Sequence, residues 1–593
     1  MTRMWKWKPL AAALLCGLAL HGAASAKADP QKVLRVAFDA ADDGFDLVKT
    51  NNSLYSTWVG QGIYEPLLQY DYLARPVKLV PNTAESMPDV SADGKVYIFH
   101  VKKGIYFTPD PAFKGAKREL TAADYAYTIK RIMDPVNRSP AASSFEGRIA
   151  GLDELVATAR KGGRFDYDAP LQGLQTPDKY TLRIELTRPD PTLLYTLAIG
   201  QTGAVAREVI EHYGQETRSH PVGTGPYMLK EYIPHSKIVL EANPDYRGFV
   251  WDFQSTGDKW DEQLIKEMKG KQMPQVGRVE AYIIEEHQSR WLAFGGGQID
   301  ADWVVDTVTN KVLDKGRLKP EFADKGIRLY RFVNTDLVYA IMNFRDPVLG
   351  GYTPEKIALR RAIVMAYNLD EEIVQARQGQ AIHAQSAIPP GIPGYDPAYR
   401  SSIGYDPELA AKLLDYFGYK KGKDGWRTMP DGSPLVIKMS TSPSARDQLL
   451  SEVWKRSLDK INVRMEFPVA SWSDNLKAAS ECKLMMWALG TTFGIPDPFD
   501  FYDTLAGSNI GQGNIGCYDS PAFNKLYAQT RVMPDGPERQ ALLTQMSRQV
   551  EADTAVVMQL HRYRNWLIQP WVKGFKQHPF QYNNWKYLDI EQH

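Results

Sequence analysis

The sequence predicts an α/β protein, and three observations predict it. Short segments alternate apolar and polar residues, the period-2 pattern of a half-buried strand. Between them lie segments with apolar residues at helical spacing, opened by capping residues. No short-period repeat and no low-complexity linker separates the two kinds along the 593 residues. That length suggests roughly three to four structural units, with the chain passing between units more than once.

Taken in order, Leu34-Arg35-Val36-Ala37-Phe38 is the first alternating strand, and Lys95 to Val101 (KVYIFHV) is the second. A helix follows. Thr121-Ala122-Ala123-Asp124 has the reciprocal capping pattern, Tyr125, Ile129, Ile132 and Met133 form one face, and Asp134-Pro135 ends it. Thr181 to Leu186 is the cleanest alternation in the chain, and Glu280 to Ile284 is a further short strand. Thr353-Pro354-Glu355 opens a second helix, with Leu359, Ala362, Ile363 and Ala366 on one face. Asp406-Pro407-Glu408 opens a third, stopped at Gly418. In both, proline occupies the first turn, where no N–H is needed.

Composition narrows the function. Lys and Arg number 71 and Asp and Glu 70, a formal net charge of +1. Such a chain has no global field drawing it to nucleic acid or anionic lipid. The mean hydropathy is −0.38. At the N-terminus, Arg3, Lys6 and Lys8 precede the apolar stretch PLAAALLCGLALHGA, and Ala24-Ser25-Ala26 supplies small residues for a cut after Ala26. This reads as a cleaved secretory signal over residues 1–26. Leu14-Leu15 before Cys16 lack the small residue a lipid-modified cysteine needs. The expectation is a soluble exported protein. Cys482 and Cys517 then remain. In an oxidising compartment they are a disulfide candidate, the alternative being two buried thiols.

Catalytic signatures are missing. There is no G-x-S-x-G, H-E-x-x-H or Walker A pattern, and the 10 histidines lack metal-ligand spacing. Gly511 to Gly516 (GQGNIG) matches G-x-G-x-x-G only as a string. The residues after it, Cys517-Tyr518-Asp519-Ser520-Pro521, form a turn and not the helix that a dinucleotide site requires. A loop is expected there, and no cofactor and no metal. The 14 Trp and 31 Tyr suit a large core and equally a large cleft.

One block carries more. HPVGTGPYMLKEYIPHSKIVLEANPDYRG, from His220 to Gly248, sets PVGTGPY, an alternating strand and NPDYRG in succession. Gly62-Ile63-Tyr64-Glu65-Pro66-Leu67-Leu68, Asp93-Gly94-Lys95 with the following strand and turn, Gly297-Gln298-Ile299-Asp300, Arg360-Arg361-Ala362 through Asp370, Ser520-Pro521-Ala522-Phe523, and Gln569 to Phe575 stand with it in order. Together these blocks resemble the oligopeptide- and dipeptide-binding proteins, the extracellular solute-binding proteins of peptide ABC importers.

The resemblance implies a periplasmic-binding-protein-like clamp of two lobes, with an extra subdomain on the first. Lobe I would take 27–70, 197–335 and a C-terminal return at 555–593, the subdomain 71–196, and lobe II 336–554. It implies a periplasmic, monomeric, non-enzymatic receptor that holds peptides between its lobes and delivers them to the transmembrane subunits of a permease. Trp487, Trp472 and Tyr339 would line the cleft, and Asn52, Ser53 and Leu54 would pair with the ligand backbone. The family's peptide binders place an Asp three residues after the Trp matched by Trp487, to hold the peptide's ammonium. Here that position is Gly490, followed by Thr491 and Thr492, and the next acid is Asp497. Either Asp497 takes the role or the ligand has no amine there. A non-peptide solute (an oligosaccharide, an opine-like compound or a metal chelate) therefore stands as the second reading, and a secreted hydrolase as the third. The PVGTGPY block is read as scaffold, its glycines serving turn conformations. The stretch 249–277 is longer than the family's usual link and is read as a surface helix hairpin or a contact for the importer.

Overall fold

The computed structural model describes residues 28–592 except 51, 52 and 305. The signal-sequence reading, Cys16 and Asn52 lie outside the described residues. Each predicted strand and helix is found: Asp29–Phe38, Val96–His100, Thr181–Glu185 and Val276–Ile283 as strands, Ala122–Met133, Pro354–Ala366 and Pro407–Tyr416 as helices. At Ala122–Met133, Asp124 Oδ2 accepts the Thr121 N–H at 2.7 Å. Gly418 ends the third helix region with φ of 84°, where a side chain would be strained.

One sheet organises the molecule. Its strand order is Arg464–Glu466, Val436–Ser440, Met486–Thr492, Asp336–Met342, Val556–Ile568, Ala301–Trp303, Asp29–Phe38, Val276–Ile283, Lys237–Ala242 and Tyr227–Ile233. The thirteen-residue strand Val556–Ile568 is common to both halves. Its first part pairs with Asp336–Met342 and Ala381–His383. Its second part pairs with Ala301–Trp303 and Arg328–Val333. Each half has its own core. Phe38, Val59, Ile63, Leu240 and Trp585 anchor the first, and Met342, Ile363, Leu414, Trp454 and Met486 the second. A separate four-stranded sheet, Asp89–Val90, Val96–His100, Thr181–Glu185 and Leu174–Gln175, falls within the 71–196 segment.

The chain crosses between halves twice, at 334–335 and within the long strand near Arg562. The two crossings are tied together. Asn334 N–H donates to the Arg562 carbonyl at 2.8 Å. Asp336, with no exposed surface, accepts from Arg562 N–H at 3.0 Å and Arg562 Nε at 2.7 Å. The second crossing therefore differs from the expected boundary at 554/555, because residues 556–561 belong to the second half's sheet.

The PVGTGPY block is scaffold, but its glycines serve a different need than turn geometry. Neither Gly223 nor Gly225 has positive φ. A Cβ at Gly223 would lie 2.1 Å from the Ile63 carbonyl oxygen, and one at Gly225 2.6 Å from it. Two chain segments approach closer there than any side chain permits. The motif is then tied to Glu65, whose carboxylate accepts from Thr224 Oγ1 at 3.0 Å and from both Arg247 terminal nitrogens at 2.7 and 2.8 Å.

The 249–277 stretch is a Phe249–Val250 and Gln272–Met273 strand pair around the helix Lys259–Met268. Its Trp251, Leu264 and Met268 form a small core together with Tyr72, Leu73 and Tyr587 from outside the stretch. It braces the C-terminal tail: Trp260 Nε1 donates to the Phe575 carbonyl at 2.8 Å, and buried Lys576 pairs with buried Asp261. Cys482 and Cys517 are bonded, with Cα atoms 6.1 Å apart. The bond fastens the GQGNIG loop beside the helix Trp472–Ser480. Among the described residues no helix is long and apolar enough to cross a membrane.

Candidate functional site

Two adjoining cavities lie where the halves face each other. The larger, about 660 Å³, takes Leu54 and Gln61 from the first half, Arg148 and Arg188 from the subdomain, and Asp500 and Arg531 from the second half. The smaller, about 230 Å³, is walled by Tyr55, Trp58, Trp303, Phe332 and Trp566 and touched by Thr492 from the second half. Leu54 and Tyr582 border both.

Local structure explains the walls. Ser53 caps the helix Leu54–Ile63, its Oγ accepting the Ser56 N–H at 3.4 Å. Tyr55 and Trp58, three apart, then share a face. Trp303 and Trp566 are directly opposed cross-strand partners, and Phe332 opposes Arg564 on the other flank. Such opposed residues project to one side of a sheet. The Arg564 guanidinium lies over the Trp303 ring at 4.6 Å, a cation–π contact.

The charges of the larger cavity are largely answered within the protein. Arg148 faces Asp190 at 3.3 Å, and Arg531 holds Asp503 in a short ion pair. Asp500 accepts the Gly494 N–H. Burial, with Asp503 and Asp497 nearby, pushes its carboxyl up to about 7. At the smaller cavity, burial likewise pushes Asp302 up to about 7, against the pull of Arg290 at 3.1 Å.

The sequence-predicted residues separate into those at the cleft and those behind it. Leu54 and Thr492 are on cavity walls, and Ser53 positions Leu54 as the cap. Trp487 and Tyr339 lie on adjacent strands but point into the core, 2% and 3% exposed. Tyr339 packs edge-on against Phe501 with centroids 5.0 Å apart. Trp472 is half exposed and covers Trp487 at 4.7 Å, away from both cavities. Gly490 pairs with Val338, and Thr491 with Leu337. A Cβ on Gly490 would stand 3.6 Å from an Arg562 terminal nitrogen, so this position lies beside the hinge. Asp497 is committed elsewhere. It is 2% exposed, its Oδ2 accepts from Arg539 at 2.7 Å, and its Oδ1 accepts the Phe499 N–H at 2.9 Å. Sequence reasoning missed Trp58, Trp303, Trp566, Tyr582 and Asp500. For the four aromatic residues, only their contribution to a high aromatic content hinted at a cleft, and nothing in the sequence marked Asp500.

Two halves joined by two tied crossings, with a solute-sized space between them, define a clamp-type binding protein. The chain belongs to family 5 of the bacterial extracellular solute-binding proteins, whose middle-region model matches residues 78–513. It is 25% identical to the dipeptide-binding protein of Escherichia coli over 595 residues, 98% of each chain. It is 25% identical to the periplasmic oligopeptide-binding protein OppA of the same organism, over 87% of this chain and 85% of that one. Among solved structures it is similar to the periplasmic binding protein DppA of Helicobacter pylori in complex with the peptide STSA. The TM-score there is 0.67 at 24% identity, over 94% of this chain and 98% of that one.

Proposed function

We propose that this chain is the periplasmic receptor of an ABC importer, closing its two halves on a peptide and presenting the closed form to the permease. The observation that carries the reading is the cleft itself: its walls come from both halves, and only two strand crossings connect them. A solute touching both halves binds the closed state more tightly, and that difference in affinity is the whole source of the motion. No chemistry is needed. The chain acts as a monomer, exported by residues 1–26. An extended peptide offers an N–H and a C=O at every residue, so backbone pairing gives affinity while roomy chambers accept side chains. Leu54 and Thr492 are the contacts proposed from the two halves.

A second reading, a non-peptide solute, is favoured by one observation. Gly490 stands where peptide binders of the resembled type carry an acid, and Asp497 is held by Arg539. An ammonium buried without a partner costs several kcal/mol. Purification without refolding, followed by mass spectrometry of the released ligand, separates the readings. A mixture of short peptides supports the first, and a single non-peptide compound replaces it with the second.

A further inference from the structure

One corner of the second half carries a surface that the cleft does not use. Its helix Pro407–Tyr416 buries Ala410 and Leu414 in the second core. The other side faces outward. Leu409 is 51% exposed and Tyr416 83%, with exposed Lys412 between them at helical spacing. Tyr405, just before the helix, is also exposed. None of these residues lines either chamber of the cleft.

Lysines gather at the same corner. After Gly418 the chain makes a short hairpin, in which the Thr428 N–H donates to the Lys420 carbonyl at 2.9 Å and Lys421 forms a backbone bridge with Arg427. Lys420, Lys421 and Lys423 stand exposed on it. Buried Arg427 fastens the hairpin in place. Its guanidinium donates to the Ala411 carbonyl at 3.1 Å, to Asp415 at 2.5 Å and to the Ile461 carbonyl at 2.8 Å. Next to Ile461, exposed Lys460 donates to the Tyr405 hydroxyl at 3.0 Å. The neighbouring acids are mostly spent inside the protein: Arg427 holds Asp415, Arg464 holds Asp424 and Lys455 holds Asp459. Asp406 caps the helix, accepting the Leu409 N–H at 2.8 Å, and Glu408 is exposed. Among the described residues, Lys412, Lys420, Lys421, Lys423 and Lys460 form no ion pair. A chain of net charge +1 thus concentrates positive potential at one corner, a local field that the whole-chain balance conceals.

Two properties together select the partner. The lysines are spread over a helix and a hairpin, which suits an extended negative surface better than a single anion. Leucine and tyrosine stand exposed among them. An acidic protein surface would answer the lysines alone. A bilayer answers them with headgroups and seats the leucyl and tyrosyl side chains at the boundary of its hydrocarbon, where tyrosine is favoured and lysine stems reach back to the polar layer. We propose that this corner of the second half is a docking surface for a bilayer bearing anionic phospholipid headgroups, acting whatever the cleft holds.

The test is co-sedimentation of the intact mature chain with vesicles of phosphatidylcholine alone and of phosphatidylcholine with phosphatidylglycerol in a two-to-one mixture. At about 50 mM salt the chain should bind the anionic vesicles at least tenfold more tightly, and at about 0.5 M salt, where the field is screened, the difference should vanish. Each lysine near such a surface contributes about fivefold, so the triple variant Lys420→Glu, Lys421→Glu, Lys423→Glu should lose more than tenfold. Lys114→Glu, Lys161→Glu, Lys325→Glu makes the same change of net charge at exposed positions elsewhere and should lose less than threefold. Leu409→Ser with Tyr416→Ser should weaken binding several-fold while its salt dependence persists. All these positions are on the surface, so the urea midpoint of each variant should match that of the parent. Equal binding to both kinds of vesicle, or an equal loss in the two triple variants, overturns the proposal. So does an intact chain that ignores anionic vesicles at low salt, a result that would leave this corner to an acidic protein surface.

Discussion

Trp487 tests whether an aromatic residue on the right strand is a cleft wall or a core residue. Its indole is 2% exposed. It sits in register with Ile341 on one flank and Ser440 on the other, and the Trp472 ring lies against it at 4.7 Å. An indole of this kind buries roughly 150–250 Å². At about 25 cal/mol per Å², truncation to alanine forfeits about 4–6 kcal/mol, and measured losses for large aromatic residues are about 3–5 kcal/mol. Trp472 is 52% exposed and can settle into part of the space, which places Trp487→Ala near the lower end, about 3 kcal/mol. That is a large share of a domain's stability, which is about 5–15 kcal/mol. The fold should survive at 25 °C with its urea midpoint clearly lowered. Trp487→Phe, which leaves a smaller void, should recover much of that loss. Solute affinity by calorimetry, measured well below the transition, should stay within about threefold for both variants, less than the tenfold that 1.4 kcal/mol would give. An unchanged midpoint together with a tenfold or greater loss of affinity would refute this reasoning, because the indole would then face the solute.

Three further outcomes are expected. Asp497→Ala removes one of the two carboxylates that hold the buried Arg539 guanidinium and leaves Asp535 at 2.6 Å, so it should destabilise by about 1–3 kcal/mol in urea titration, with little change in solute affinity; a neutral effect would mean that Asp535 alone satisfies the guanidinium. The Asp500 carboxyl is raised to about 7 by burial in the folded state, so the stability it confers is full below about pH 4 and is lost as pH rises through 7. Asp302 adds in the same direction. Tm should fall between pH 5 and pH 8, and Asp500→Asn, which keeps an acceptor for the Gly494 N–H, should flatten that fall; an identical pH profile in the variant would contradict the assignment. Reducing the Cys482–Cys517 bond, which closes a separation of 35 residues, should cost about 3–4 kcal/mol on the chain-entropy account, read as a lower melting point in reductant that Cys482→Ser with Cys517→Ser reproduces without reductant.

The elements were legible because each carries a local physical signature. Alternation announced the strand at Thr181–Glu185, and the Thr121–Asp124 reciprocal cap announced its helix. The second crossing was not legible. Val556–Ile568 keeps one strand pattern throughout, and nothing local marks the residue at which its neighbours change from one half to the other. The glycines of PVGTGPY announced a tight place but not its cause, since close approach to the Ile63 carbonyl depends on a helix 160 residues upstream. The site was legible in part. Leu54 and Thr492 stand on cavity walls because they lie at the ends of elements that reach the cleft. Trp487 and Tyr339 were placed on the right strands and the wrong face, and with a period of two a strand reverses its face at every residue. The aromatic chamber drew its walls from residues near 55, 303, 332, 566 and 582, a set that only the folded sheet brings together. Asp497 illustrates the converse: an acid beside Pro498 in an expected binding segment turned out to be one half of a buried ion pair with a helix 42 residues on.

The most direct measurement is small-angle X-ray scattering of the mature chain, stripped of solute and then saturated with the solute recovered from the purified protein. A hinge of two crossings tied by Asn334, Asp336 and Arg562 predicts a smaller radius of gyration when loaded, reversed when the solute is removed. Superimposable curves at full occupancy would contradict the clamp.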